Sequence, residues 1–286
     1  MTVLEISDVC YTYDKGTGNS REALSHINLK IEQGTVTGII GHTGCGKSTL
    51  LKMLNGLLRP DSGKILLLGK DIWEEPKKIS SVRFKVGLVM QYPEYQLFDE
   101  TVRSDIAYGP KNMGLCEEEI NERVMAAANF AGIDREILDK SPFELSGGQK
   151  RRVAIAGIMA MRPEVLVLDE PAAGLDPMGR EEIFEGLRRY RNESGATVIV
   201  VSHSMEDMAK YCDRLVVMND GEIFAEGTKK EVFGDAERLM EIGLGVPEVT
   251  RLIKKLRDGG MPLSSDIFTV EDARFEIAKL LGGEGK

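Results

Sequence analysis

Long apolar runs are missing from this 286-residue chain. A membrane-crossing helix needs roughly 18 or more consecutive apolar residues, and the apolar stretches here, such as 165–168 and 198–201, are far shorter. Any membrane role must therefore run through partners. No secretory leader is expected either, since MTVLEISDV carries acids and no cationic apolar segment. Cysteine is sparse. Cys10, Cys45, Cys116 and Cys212 are scattered without a CxxC pair, which argues against a disulfide framework and for a reducing cytoplasmic setting. There is no basic excess either, since 37 Lys plus Arg face 46 Asp plus Glu for a net charge of −9. A protein that wraps nucleic acid usually has the opposite balance, so no nucleic-acid partner is expected.

What remains is ordinary globular material, 42% hydrophobic and 29% charged, enough for one large domain with a smaller appendage. Residues 2–9 and 27–31 read as strands around a Gly/Asn/Ser-rich loop at 16–20. Residues 36–40 form a short β-rich run that ends in GHTGCGKST, and helical spacing follows until Gly56 and Pro60. Further strands are expected at 65–68 and 86–90. A helix is expected at 117–131, inside a helical insert of about 92–163. Residues 165–168 and 197–201 are compact apolar strands of the parallel, doubly covered kind, with a long amphipathic stretch at 178–193 between them. Residues 215–218 and 222–225 read as a hairpin turned by Asn219-Asp220-Gly221. After about Gly227, short helical stretches at 229–233, 247–257 and 270–281 are separated by glycine and proline. They predict a small helical tail.

Gly41-His42-Thr43-Gly44-Cys45-Gly46-Lys47-Ser48 fits GxxxxGK[ST] between a strand and a helix, the context that motif requires. Its glycines allow successive backbone N–H groups to face phosphate oxygens, and the helix start adds its positive end. Lys47 is expected to bridge the outer phosphates and Ser48 to offer its hydroxyl to Mg²⁺, with Thr49 following in the same turn. Cys45 reads as a small residue tolerated in the loop and His42 as a bystander in it. The run 165–168 then delivers Asp169 and Glu170 to the end of a buried strand, where ligands of open α/β sheets collect. Asp169 is the expected metal-side carboxylate and Glu170 the general base for an attacking water. Ordinary surface acids at a strand end would look the same in isolation; the phosphate cradle tips the balance.

Leu145-Ser146-Gly147-Gly148-Gln149, upstream of an LVLDEP strand, carries a specific resemblance. Up to about Gly227 the chain resembles the ABC transporter ATP-binding family. The resemblance implies an α/β fold: a P-loop cassette with a RecA-like core, an N-terminal antiparallel β subdomain and a helical subdomain at about 92–163. It implies ATP and Mg²⁺ as cofactors, and a second phosphate-binding surface at Ser146, Gly147, Gly148 and Gln149 that contacts nucleotide held by the opposite subunit. It further implies an aromatic against adenine (Tyr13, with Tyr11 the near competitor), a metal- and water-reaching Gln91, a cross-dimer loop at Gly174-Leu175-Asp176, and a γ-phosphate contact at His203. Each of these elements is intact, so an active ATPase is expected rather than a silent half-site.

Residues 91–98 (QYPEYQLF), 100–102, 106–110, 227–233 and 268–273 look like the energy-coupling factor branch. That resemblance implies uptake of a vitamin or transition-metal ion through a coupling transmembrane subunit and a substrate-capturing membrane subunit, with this chain peripheral on the cytoplasmic face of the membrane. The form of 91–98 looks more like the second ATPase of a heterodimer, with a homodimeric cobalt or nickel system as the alternative. The tail, 228–286, would be a C-terminal helical dimerisation domain, leaving 1–227 as the ATP-binding domain. A groove beside Gln91, lined by Tyr92, Pro93, Tyr95, Leu97 and Phe98, would take an amphipathic helix of the coupling protein. The motor would not bind the cargo itself. A chromosome or DNA-repair ATPase would need a long coiled-coil insertion between Ser48 and Leu145, and no sustained heptads are present there. A regulatory module without turnover is disfavoured by Glu170 and His203.

Overall fold

The computed structural model describes residues 1–281, so the last residues of the expected tail, 282–286, lie outside the described residues. The chain opens with β1 (Thr2–Tyr13) and β2 (Arg21–Glu32), followed by β3 (Val36–Gly41) and α1 (Lys47–Leu54). Then come β4 (Ser62–Leu67), β5 (Lys70–Asp71), α2 (Ile79–Lys85) and β6 (Val86–Val89). A helical stretch contains α3 (Val102–Asn112), α4 (Glu117–Phe130) and α5 (Gly147–Met159). The core resumes with β7 (Val165–Asp169), α6 (Pro177–Ser194), β8 (Thr197–Val201), α7 (Met205–Tyr211), β9 (Arg214–Asn219) and β10 (Glu222–Thr228). The tail holds α8 (Lys229–Phe233), α9 (Ala236–Glu241), α10 (Glu248–Asp258) and α11 (Val270–Leu280).

Two sheets form. An antiparallel sheet has the order β2-β1-β4-β5, and a six-stranded sheet runs β10-β9-β3-β8-β7-β6. Within the second sheet β9, β3, β8, β7 and β6 are parallel, and only β10 is antiparallel to its neighbour. The unbroken apolar runs of β7 and β8 now have a cause. Val165, Val167, Ile199 and Val201 pack on the side facing α1 and the antiparallel sheet, while Leu166, Leu168, Val198 and Val200 pack toward α5 and α6. A strand alternates its side chains between faces, so burial on both faces demands apolar residues at every position.

Several elements run beyond their sequence expectation. β1 and β2 continue past the predicted ends because register shifts between Ile6 and Val9 and between Val9 and Tyr11 absorb irregular residues without ending the pairing. α2 and α7 have no counterpart in the sequence expectation, while α3 and α9 fall inside the expected helical insert and helical tail without having been assigned as separate helices. α3 contains Gly109 and Pro110, which helix propensity penalises, yet Thr101 and Ser104 form a reciprocal capping box at its start, and Val102, Ile106 and Ala107 are buried. The 220–221 turn closes the β9–β10 hairpin with both residues in the left-handed region, φ 46° and 83°.

The tail divides by packing. Val232, Phe233, Leu239, Leu244 and Val246 join the main core, whereas Ile253, Leu263, Ile267 and Ala273 form a separate small cluster between α10 and α11. No described helix is long and apolar enough to cross a membrane.

Candidate functional site

Parallel pairing decides where the chemistry-bearing residues meet. β3, β8, β7 and β6 are neighbours with a common direction, so their C-terminal ends lie along one edge. β3 ends in the glycine-rich loop, β7 in Asp169 and Glu170, β8 just before His203, and β6 just before Gln91. An open cavity of about 270 Å³ at this edge is lined by Tyr13, Thr43, Gly44, Gly46, Lys47, Ser48, Thr49, Gln91, Asp169, Glu170 and His203. Residues spread over most of the chain thus converge.

The loop conformation depends on glycine at two points. Gly46 has φ 105°, and a Cβ there would stand 2.5 Å from the Ala23 carbonyl oxygen. Gly41 has φ 155°, and its Cβ would meet the Met218 carbonyl at 2.4 Å. Gly46 precedes α1 with no side-chain cap, leaving the first-turn N–H groups free to meet an anion. Lys47 is buried, and its Nζ donates to the carbonyls of Gly41 at 2.6 Å and His42 at 2.7 Å. The ammonium is held inside the loop, beneath the space the backbone encloses.

Gly41, His42 and Cys45 belong to the loop but do not line the cavity. Cys45 is buried with its Sγ 3.7 Å from Lys47 Nζ. His42 turns outward, and its Nε2 bonds to the carbonyl of Ile242 in the tail. Tyr13 lines the cavity, its hydroxyl 3.2 Å from Thr49 Oγ1, while Tyr11 packs against the apolar core. The two rings meet edge to face with centroids 4.8 Å apart.

Opposite the loop, Ser48 Oγ donates to Asp169 Oδ2 at 2.8 Å. Glu170 is mostly buried and adopts φ 52°, the left-handed region that a side-chain-bearing residue occupies at a cost. Its amide is anchored to the Val201 carbonyl at 3.0 Å. Glu170 Oε1 stands 3.4 Å from His203 Nε2, yet that buried oxygen has no hydrogen-bond partner. Burial first, and then the Asp169 carboxylate, push the Glu170 carboxyl up to about 7. Burial and the Lys47 cation hold His203 below its ordinary value, which favours the neutral ring.

Ser146, Gly147, Gly148 and Gln149 do not line this cavity. They form the exposed start of α5, where Ser146 Oγ accepts from the Gln149 amide at 3.3 Å and Gln149 Oε1 accepts from the Ser146 amide at 3.0 Å. A Cβ on Gly147 would meet nothing within 4 Å, so no contact inside this chain requires glycine there.

Three cavity residues carried no motif signal: Arg21 and Ala23 on β2, and Val201 at the end of β8. Arg21 Nη2 donates to the Gly44 carbonyl at 3.2 Å and adds a cation at the cavity mouth. Beside the site, a second cavity of about 310 Å³ is lined by Phe84, Pro93, Leu97, Phe98, Tyr108 and Met161 among others. Of the aromatics expected to line the groove, Tyr92 and Tyr95 stand outside it; both are exposed, with ring centroids 6.3 Å apart.

The ABC transporter family model matches residues 24–173. The energy-coupling factor transporter ATP-binding protein EcfA2 of Caldanaerobacter subterraneus subsp. tengcongensis is 52% identical over 98% of this chain and 98% of its own length. The protein of the same name from Clostridium perfringens is 52% identical over 97% of this chain and 98% of its own. Among solved structures, cbiO1 of Clostridium perfringens, described as part of the ABC transporter complex cbiONQ, is 42% identical with a TM-score of 0.75, covering 88% of this chain and 99% of that one. The ATP-binding cassette MJ0796, solved as a dimer in a post-hydrolysis state with ADP and Pi, is 28% identical with a TM-score of 0.71, covering 79% of this chain and 98% of that one.

Proposed function

The chain belongs to the ABC transporter family, as an ATP-binding, ATP-hydrolysing subunit of the energy-coupling factor type, and from that premise we propose how its residues divide the work. The supporting observation is the convergence of Lys47, Ser48, Gln91, Asp169, Glu170 and His203 on one cavity at the edge of the parallel sheet. ATP phosphates lie along residues 41–49, met by backbone N–H groups, the α1 N-terminus and the Lys47 ammonium, with Tyr13 against the adenine. To reach phosphate, Lys47 exchanges one of its bonds to the Gly41 and His42 carbonyls.

Ser48, Asp169 and Gln91 offer hard oxygen donors of the kind Mg²⁺ prefers, and the Ser48–Asp169 bond holds two of those donors side by side. No described cluster of three His, Cys, Asp or Glu side chains could hold an ion unaided, which fits a metal that arrives with the nucleotide. When bound, Mg²⁺ supplies neutralisation of phosphate charge. The chain's own groups do the rest. Glu170 Oε1, buried and without a partner, holds and deprotonates the attacking water, and His203 sits beside it to keep water and γ-phosphate in register. Attack is in line, with the barrier lowered by positioning and charge.

The second half of the phosphate grip comes from the start of α5 on another cassette. Gly147 has open space where a side chain would be, and this turn lies off the chain's own cavity; both fit a surface that another molecule's nucleotide approaches. We place the partner as a second, similar ATPase in a heterodimer. The cavity at Pro93, Leu97 and Phe98 is the seat for an amphipathic helix of a coupling membrane subunit, and a substrate-capturing membrane subunit carries a vitamin or transition-metal ion. The chain would then sit peripherally on the cytoplasmic face of the membrane. Residues 1–227 form the ATP-binding domain and 228–286 a dimerisation domain; exposed Leu252, Val270 and Phe275 on α10 and α11 support that role.

The test is Glu170→Gln. Turnover should drop by about 10²–10⁴-fold, the worth of a positioned general base, while ATP is still retained. Unchanged turnover would remove Glu170 from the chemistry.

A further inference from the structure

Arg151 lies on α5, two residues past Gln149, and is 3% exposed. Its guanidinium has three committed directions. Nε donates to Glu94 Oε2 at 3.0 Å and Nη2 to Glu94 Oε1 at 2.7 Å, a two-point fork, while Nη1 donates to the Ala173 carbonyl. The ring of Tyr92 lies 5.9 Å from the guanidinium carbon. Glu94 belongs to the segment that follows Gln91, and Ala173 to the turn that follows Glu170. The Ala173 amide in turn donates to the Glu170 carbonyl at 3.2 Å. Nearby, a Cβ on Gly148 would touch Leu175 at 3.4 Å, so the same turn also abuts the start of α5.

One buried side chain therefore joins three pieces of the site: the segment after Gln91 and the turn carrying Glu170, which follow the paired strands β6 and β7, and the start of α5, which no strand pairing reaches. We propose that Arg151 is a positioning residue that makes these three pieces move together, so that displacement of residues 92–98 by a membrane partner reaches Glu170 and the α5 turn at once. The proposal rests on the assignment of Glu170 and residues 146–149 given above.

Chemistry makes the strut specific. Only arginine presents a planar fork that satisfies both carboxylate oxygens and still has a third N–H direction for a carbonyl. Lysine keeps the charge but is a single point and cannot span Glu94 and Ala173 in this geometry. Glutamine at 94 keeps the shape but turns one acceptor oxygen into a donor that faces the guanidinium. Arg151 touches no residue lining the nucleotide cavity through its own polar atoms, so ATP capture by residues 41–49 should not depend on it.

The experiment compares Arg151→Lys, Glu94→Gln and their double variant in the assembled transporter, with ATP as the probe. Each single variant should lower kcat by about tenfold or more, the range of coupling in buried polar networks, with KM for ATP within about twofold of wild type. The double variant should lose no more than the worse single, because both break one strut. Melting temperature checks folding; should Arg151→Lys fail to fold, Glu94→Gln decides, by the same split between kcat and KM. The strut is overturned if kcat stays within about twofold in the variants, if the two losses multiply, or if KM rises as much as kcat falls. Glu170→Gln run in parallel separates the levels: if it keeps hydrolysing, the site assignment itself has failed, whereas silence of the Arg151 and Glu94 variants alone removes only the strut.

Discussion

Ser48 Oγ and Asp169 Oδ2 are 2.8 Å apart although 121 positions separate them in sequence. The contact exists because β3 and β7 flank β8 in parallel, so the first turn of α1, reached through the loop that follows β3, and the last residue of β7 share an edge. In the metal site proposed above, this bond sets the two oxygen donors side by side.

Ser48→Ala should therefore act on metal dependence more than on the fold. The variant should need more Mg²⁺ for half-maximal hydrolysis and lose about 10²-fold in kcat, with a melting temperature close to wild type because the hydroxyl lies in an exposed bond. Titration of ATPase activity with Mg²⁺ reads both. An unchanged Mg²⁺ titration would remove Ser48 from the metal site.

The two tyrosines of β1 should separate cleanly. Tyr13 faces the cavity, so Tyr13→Ala should raise KM for ATP by about 2–10-fold, the worth of one aromatic contact. Tyr11 packs on the core, so Tyr11→Ala should lower the melting temperature and leave KM nearly unchanged. Steady-state kinetics beside thermal melts of both variants distinguish the roles, and the reverse pattern would swap them.

Glu170 gives a pH dependence whose sign is fixed. Its carboxyl is raised from 4.5 to about 7 by burial and by Asp169, so the folded chain binds that proton more tightly than the unfolded one. The stability this contributes is present near pH 4.5 and is lost as pH rises toward 7. Glutamine carries no charge at any pH. Nucleotide-free Glu170→Gln should thus melt close to wild type at about pH 5 and above it by a few degrees at about pH 8. Equal melting at the higher pH would mean the charged carboxylate costs the fold nothing.

Much of this site was legible in the sequence because its residues sit at strand ends with fixed spacing. GHTGCGKS follows an apolar strand, Asp169 ends one, and His203 and Gln91 each follow one; the strands themselves read as apolar runs. What sequence could not give was side-chain direction within a loop. Cys45 and His42 lie in the motif, yet one turns into the core and the other out to Ile242. Arg21 reaches the cavity from β2, an element whose local pattern says nothing about the loop it meets. Tyr92 and Tyr95 share a short segment with Pro93 and Leu97 but leave the groove, Tyr95 to solvent and Tyr92 half-exposed beside Arg151, where the chain takes a 3₁₀ turn after Tyr92 at φ 56°. α3 was hidden by Gly109 and Pro110, which local propensity penalises and which the buried face of the helix outweighs.

In the proposed dimer the terminal phosphate is held jointly, by Lys47 of one cassette and the Ser146–Gly147 turn of another. The most direct measurement is hydrolysis rate per cassette across a hundredfold dilution, with sedimentation recording the assembled species. Specific activity should fall as the cassettes separate and return on concentration. A constant rate per cassette in a species that sediments as a monomer would contradict it.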